Sequence, residues 1–154
     1  MTSDVDLTLL TGFGDEERYI DEWLRHYQAR RADGREFALA NRVLLLGSKT
    51  GLSIDVALGA LPFEEGAIAR AVNVEMSKGV TLRFCSPEDL IIMKAFANRD
   101  LDWRDVRMTI VRQGDALDWM YIREQLGPLA MLKEEPEIVT RLEELREKYE
   151  RQME

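Results

Sequence analysis

The stretch LSIDVALG, residues 52–59, is a short apolar run with one carboxylate near its centre. Because side chains alternate along an extended chain, this pattern predicts a strand whose Ile54, Val56 and Leu58 face a core. Asp55 then lies on the opposite face, with no cation near it in the sequence. An unpaired carboxylate in the middle of a strand is costly, so Asp55 must be exposed or meet a cation.

A second strand with carboxylates is predicted at the start of the chain, in the run VDLTLL. Alternation puts Asp4 and Asp6 on the face opposite its apolar residues. If this strand and LSIDVAL are neighbours, the three carboxylates of Asp4, Asp6 and Asp55 converge on one surface. A set of ligands that consists of carboxylate oxygens, with no histidine or cysteine among them, suits Mg²⁺. Two such ions can activate an attacking oxygen and stabilise a leaving pyrophosphate.

The same aspartates have a plainer explanation, because a solvent-facing edge strand would also carry Asp4 and Asp6. Another Asp-x-Asp pair, Asp100 and Asp102, occurs in a predicted helix, where it cannot form the same strand geometry. The metal interpretation therefore depends on the pairing of the two strands.

The remaining pattern predicts an α/β fold with a small, mixed, largely antiparallel sheet, flanking helices and a helical C-terminal half. We expect one domain over residues 1–154, with a sheet-containing half at 1–85 and a helical half at 86–154. The predicted elements after the first strand are a helix in 14–31, a hairpin of RVLLL and LSIDVAL around GSKTG, a helix in 62–72, strands NVEM and VTLRFC, and helices in 86–99, 101–114, 117–127 and 135–152. Glycine is expected to end the helices LDWRDVRMTIVRQG and LDWMYIREQLG.

Composition places the chain among globular proteins of a reducing cytoplasm. Hydrophobic residues make up 45% of its 154 residues, and Cys85 is its single cysteine. No apolar run approaches the ~20 residues of a membrane helix, so no membrane partner is expected. The net charge of −8 argues against general adhesion to nucleic acid. A local patch of Arg30, Arg31 and Arg35 could still contact a nucleic-acid substrate, or could be a solvated helix end.

Three stretches carry a family resemblance: TSDVDLTLL, LSIDVALGALPFEE and SPEDLIIMKAFANRDLDWRDV. They resemble the minimal nucleotidyltransferases of the DNA polymerase β superfamily, and most closely the bacterial AbiEii-type and related toxin–antitoxin nucleotidyltransferases. The resemblance implies the nucleotidyltransferase fold, an NTP substrate and Mg²⁺, with two ions, held by Asp4, Asp6 and Asp55. It also implies an acceptor hydroxyl on tRNA or on a tyrosine of a partner protein, and a cognate toxin or antitoxin.

The third stretch resembles a later motif of that family at Lys94, Arg99, Asp102 and Asp105. The resemblance implies that Lys94 acts near the triphosphate or positions the acceptor, so Lys94 is both a catalytic and a nucleotide-binding candidate. The alternative is structural, because Asp102 and Asp105 also suit the first turn of the next helix. Arg99 would then pair with either aspartate as a clamp.

The segment before the aspartate pair is short for this family, whose members carry a Gly-Gly or Gly-Ser turn there that holds the nucleotide's phosphates. Thr2 and Ser3 fit the tail of that pattern and are the predicted nucleotide-binding residues beside Lys94. We expect either that Met1 is an internal methionine of a longer chain or that the chain is a non-catalytic binding module. A structural metal-binding protein is a third hypothesis. The GSKTG segment does not replace the turn, because it joins two predicted strands and opens no helix.

Two further residues have an ordinary structural explanation. His26, the only histidine, is expected on a helix surface, since no nucleophile accompanies it in the sequence. Trp103 is expected in the core, and a base-stacking role would require it to be exposed beside Arg104.

Overall fold

Strands and helices alternate through the first part of the chain and give way to helices after it. A computed structural model describes residues 4–153, which fall into two compact units that meet between Ala69 and Arg70. The predicted α/β class is confirmed. The first unit contains β1 (Asp4–Leu10), α1 (Glu16–His26), β2 (Gln28–Ala29), α2 (Gly34–Asn41), β3 (Val43–Gly47), β4 (Ser53–Gly59) and nearly all of α3 (Pro62–Arg70).

The second unit contains a hairpin followed by helices. Its elements are β5 (Val72–Ser77), β6 (Val80–Phe84), α4 (Pro87–Ala97), α5 (Asp100–Gln113), a single 3₁₀ turn (Gly114–Ala116), α6 (Trp119–Leu132) and α7 (Glu137–Met153). Among these described residues, no helix is both long enough and apolar enough to cross a bilayer.

The sheet of the first unit has the strand order β1-β4-β3-β2. β1 runs parallel to β4, whereas β4 with β3 and β3 with β2 are antiparallel, so the predicted mixed, largely antiparallel sheet is confirmed. One face of this sheet is closed by α1 and α2 and forms the core, in which Ile20, Ala38, Leu44, Leu46 and Val56 are completely buried. The predicted adjacency of the two aspartate strands therefore holds.

Helix α2 lies between the predicted helix at 14–31 and the predicted hairpin, in a stretch for which the sequence predicts no element. Gly34 is its first residue. A Cβ at Gly34 would lie 2.5 Å from the Cβ of Ala29, so only glycine lets α2 begin this close to β2. The preceding helix is also shorter than expected, because the backbone N–H of Arg30 bonds the Leu45 carbonyl and draws residues 28–30 into the sheet.

Helix α6 runs past its expected end. Gly114 ends α5 with φ +55, as predicted, but Gly127 and Pro128 both lie inside α6, which continues to Leu132. Leu126, Leu129 and Ala130 are buried on either side of that pair. Burial of this apolar stripe therefore outweighs the helix-breaking tendency of Gly and Pro.

Candidate functional site

The register between β1 and β4 brings two of the predicted carboxylates side by side. Asp6 is directly paired with Asp55, and Asp4 is paired with Ser53. Paired residues of neighbouring strands project from the same face, and residues two apart on one strand share a face. Asp4, Asp6 and Asp55 therefore share the sheet face opposite α1 and α2. Asp4 and Asp6 are exposed, and Asp55 is half-buried.

Asp55 meets its cation in Arg30, one of the three arginines of the predicted basic patch. The Arg30 guanidinium donates a hydrogen bond to Asp55 Oδ1 and forms an ion pair with it. The two side chains are 36% and 32% exposed. Leu45 lies between them in the sheet: it pairs with Asp55, and its carbonyl accepts the Arg30 N–H. One row across the sheet thus contains Arg30, Leu45, Asp55 and Asp6.

The carboxylates suit Mg²⁺ by donor type and by the face they share. They are not drawn together into a ready-made centre, since in residues 4–151 no three carboxylate, imidazole or thiol groups lie close enough to hold a metal ion. Asp55 instead satisfies its charge with Arg30. A metal ion at this face would therefore compete with Arg30 for Asp55.

Lys94, the fourth predicted catalytic residue, belongs to an ion cluster between α4 and α5. Its Nζ lies 3.6 Å from Asp102 Oδ1 and 3.5 Å from Asp105 Oδ2. Arg99 donates two hydrogen bonds to Asp102, at 2.6 and 3.1 Å. The cluster joins the two helices, and this is the geometry of a structural clamp.

The electrostatics of that clamp centre on Asp102, whose side chain is 2% exposed. Burial acts to raise the pKa of Asp102, but the hydrogen bonds and charge of Arg99 and the charge of Lys94 act against it, and the pKa is lowered overall. Asp102 therefore remains ionised inside the helical unit.

The predicted nucleotide-binding residues Thr2 and Ser3 lie outside the described residues. The GSKTG segment joins β3 to β4, as predicted, and its polar groups bond one another. The Ser48 N–H donates to the Leu52 carbonyl, and Ser48 Oγ accepts the Leu52 N–H at 2.9 Å. Beside this turn is an open cleft of about 650 Å³, lined by His26, Tyr27, Gln28, Gly47, Ser48 and Lys49.

The proposed arginine patch is neutralised within the sheet unit. Besides the Arg30 pair, Arg31 forms two hydrogen bonds with Asp33, both of 2.9 Å. Arg35 bonds Asp21 and Glu17. Arg30 and Arg35 therefore connect elements of the fold to one another, whereas the Arg31 pair lies within the loop between β2 and α2.

The remaining single-residue expectations agree with the structure. His26 is exposed, with its ring nitrogen 3.2 Å from Glu22. Trp103 is 2% exposed, its indole N–H donates to Asn98 Oδ1, and the Arg141 guanidinium stacks over its ring. Trp103 therefore packs in the helical unit and presents no face to a base.

Sequence reasoning missed Arg30 as a site residue because its partner is 25 positions away. The signal that could have found it was the unexplained carboxylate of Asp55, which required a cation from elsewhere in the chain.

Comparison with known families agrees with this arrangement. The family model described as "Nucleotidyltransferase of unknown function (DUF6036)" matches residues 2–154. A search of curated proteins found no match. The match spans both units and supports nucleotidyl transfer in general, without distinguishing a toxin–antitoxin subtype. On this match across nearly its whole length, the chain belongs to this family of nucleotidyltransferases of unknown function.

Proposed function

We propose that the chain is a Mg²⁺-dependent nucleotidyltransferase that moves a nucleoside monophosphate from an NTP to a hydroxyl of tRNA or of a partner protein. The observation that carries the proposal is the direct pairing of Asp6 with Asp55 on neighbouring parallel strands, with Asp4 on the same face. Membership of a nucleotidyltransferase family supports it independently.

Each site residue has a role that follows from its charge and position. Asp4, Asp6 and Asp55 would hold Mg²⁺, which supplies activation of the acceptor oxygen and stabilisation of the leaving pyrophosphate. Asp55 would also help to deprotonate the acceptor hydroxyl, either through a metal ion or directly. Lys94 would compensate the charge of the phosphates, and Thr2 and Ser3 would bind the nucleotide.

Label transfer from α-labelled NTPs tests the proposal. Wild-type protein is incubated with each of the four NTPs, Mg²⁺, bulk tRNA and a cell lysate, and labelled RNA and protein are separated. Asp6→Asn should abolish transfer. Asp15→Asn is the matched control, since Asp15 is an exposed carboxylate of the same unit that pairs with Arg18. Equal transfer by Asp6→Asn and the control would exclude this face as the catalytic site.

The Arg30–Asp55 ion pair favours one alternative, a binding module that retains the fold without catalysis. In that case the pair is a permanent structural contact, and the acidic face binds no metal. Such a protein would transfer no label under any condition, and Mg²⁺ would leave its melting temperature unchanged.

The proposed setting is cytoplasmic, with a cognate toxin or antitoxin protein as partner. In that setting the acceptor identifies the role: labelled tRNA is the outcome for a toxin, and a labelled partner tyrosine is the outcome for an antitoxin.

A further inference from the structure

The hairpin β5–β6 of the second unit has one apolar and one polar face. Val72 pairs with Phe84 and Val74 with Leu82, so these four side chains project from the same face. The alternate pairs join Asn73 to Arg83 and Glu75 to Thr81 on the other face. Near the turn, Met76 and Val80 extend the apolar face beside an irregularity in the register. The apolar face is defined by Val72, Val74, Met76, Val80, Leu82 and Phe84.

All six of these side chains are exposed, in contrast with the helices of the same unit. Their exposed fractions run from 40% at Val74 to 59% at Val72, whereas Ile91 and Ile122 in the helical core are completely buried. A two-stranded hairpin is marginally stable in water without a covered face. A contiguous apolar patch of this kind on a soluble protein marks an interaction surface.

We propose that the apolar face of the β5–β6 hairpin is a homodimer interface, in which the same face of a second copy of this chain packs against it around a two-fold axis. A two-fold contact needs only one patch, because each copy presents the same surface to the other. This inference does not depend on the proposed enzymatic activity.

The exposed area of the apolar face reaches the lower limit for such a dimer. The six side chains expose roughly 500 Å² of apolar surface in each copy, and two copies would bury about 1,000 Å² from these residues alone, near the lower limit for a specific interface.

Local charge also suits a second copy. The chain carries a net charge of −8, which opposes self-association as a whole. The hairpin, however, contains one acid, Glu75, and two bases, Lys78 and Arg83, so residues 72–84 have a net charge of +1 (2 − 1). The face that meets the second copy is itself uncharged, because Glu75 and Arg83 project from the polar face and Lys78 lies in the turn, so no charge has to be buried in the contact.

The mass in solution, measured by light scattering after size exclusion, tests the proposal. Leu82→Glu places a charge in the apolar face, and Thr81→Glu places the same charge on the neighbouring residue of the polar face. We expect wild type and Thr81→Glu to have twice the chain mass of 17.8 kDa and Leu82→Glu to have the single-chain mass. Circular dichroism should show all three folded, because Leu82 is half exposed already.

A second pair of variants keeps the test decisive if Leu82→Glu does not fold. Val74→Lys disrupts the apolar face from the other strand, and Asn73→Lys is its polar-face control. A wild type that remains monomeric at micromolar concentration overturns the proposal, whether or not it associates with another protein. A Leu82→Glu or Val74→Lys variant that remains dimeric also overturns it.

Discussion

Replacing Arg30 by Gln should increase the affinity of the protein for Mg²⁺. The Arg30 guanidinium forms an ion pair with Asp55, and an ion that binds this carboxylate would compete with it. Gln removes the competing charge while retaining a polar side chain of similar reach. Binding is then favoured by the free energy of the ion pair that no longer has to be broken.

The exposure of the pair sets the size of this effect. The side chains of Arg30 and Asp55 are 36% and 32% exposed, so solvent screens their attraction, and such pairs contribute up to about 1 kcal/mol. Removing that competition corresponds to an increase in Mg²⁺ affinity of up to ~5-fold. Isothermal titration of the metal alone measures this quantity without any requirement for activity.

Arg31→Gln is the matched control, because it removes the same charge from the adjacent residue, whose guanidinium bonds Asp33. Its Mg²⁺ affinity should remain that of wild type. Equal or weaker binding by Arg30→Gln, relative to this control, would refute competition at Asp55. Failure of all three proteins to bind Mg²⁺ would instead refute the metal site itself.

The other predictions concern stability and reactivity. Asp102→Asn should lower the free energy of unfolding by about 1–3 kcal/mol at pH 7. Because the pKa of Asp102 is lowered in the folded protein, that difference is present above about pH 4 and disappears as the pH falls through the folded value, which denaturant titrations at several pH values measure. Gly34→Ala should destabilise the protein by about 1–3 kcal/mol, because the clash of the new Cβ with Ala29 outweighs the higher helix propensity of alanine. Gly127→Ala, where a Cβ meets nothing within 4 Å, should stabilise it by up to about 1 kcal/mol, and thermal melting compares the two. Burial raises the pKa of the Cys85 thiol, so alkylation at pH 8 should be slower than that of a free cysteine peptide, and an equal rate would contradict that environment.

The strands of the first unit and their faces could be predicted from the sequence because period-two alternation is local. The pattern of LSIDVAL was enough to place Asp55 opposite the core, and the structure pairs it with Asp6. The partner of Asp55 could not be predicted, because Arg30 reaches it only through the pairing of β2 with β3. That contact depends on the tertiary arrangement of the sheet.

The misplaced helix boundaries have a similar cause. Gly34 and Gly127 are both strong breakers by local preference, yet one begins a helix and the other lies inside one. At position 34 the close approach of Ala29 requires a glycine. Around Gly127 the burial of Leu126 and Leu129 keeps the helix intact. Both reasons lie in packing, which a window of sequence does not contain.

The most direct test of the central claim is transfer of label from an α-labelled NTP by wild type, Asp55→Asn and Asp15→Asn, each with and without EDTA. We expect labelled tRNA or labelled protein with wild type and Asp15→Asn in the presence of Mg²⁺. We expect no label with Asp55→Asn or with EDTA. Transfer that survives both the loss of Asp55 and the removal of metal would contradict the assignment of this carboxylate face as the site of nucleotidyl transfer.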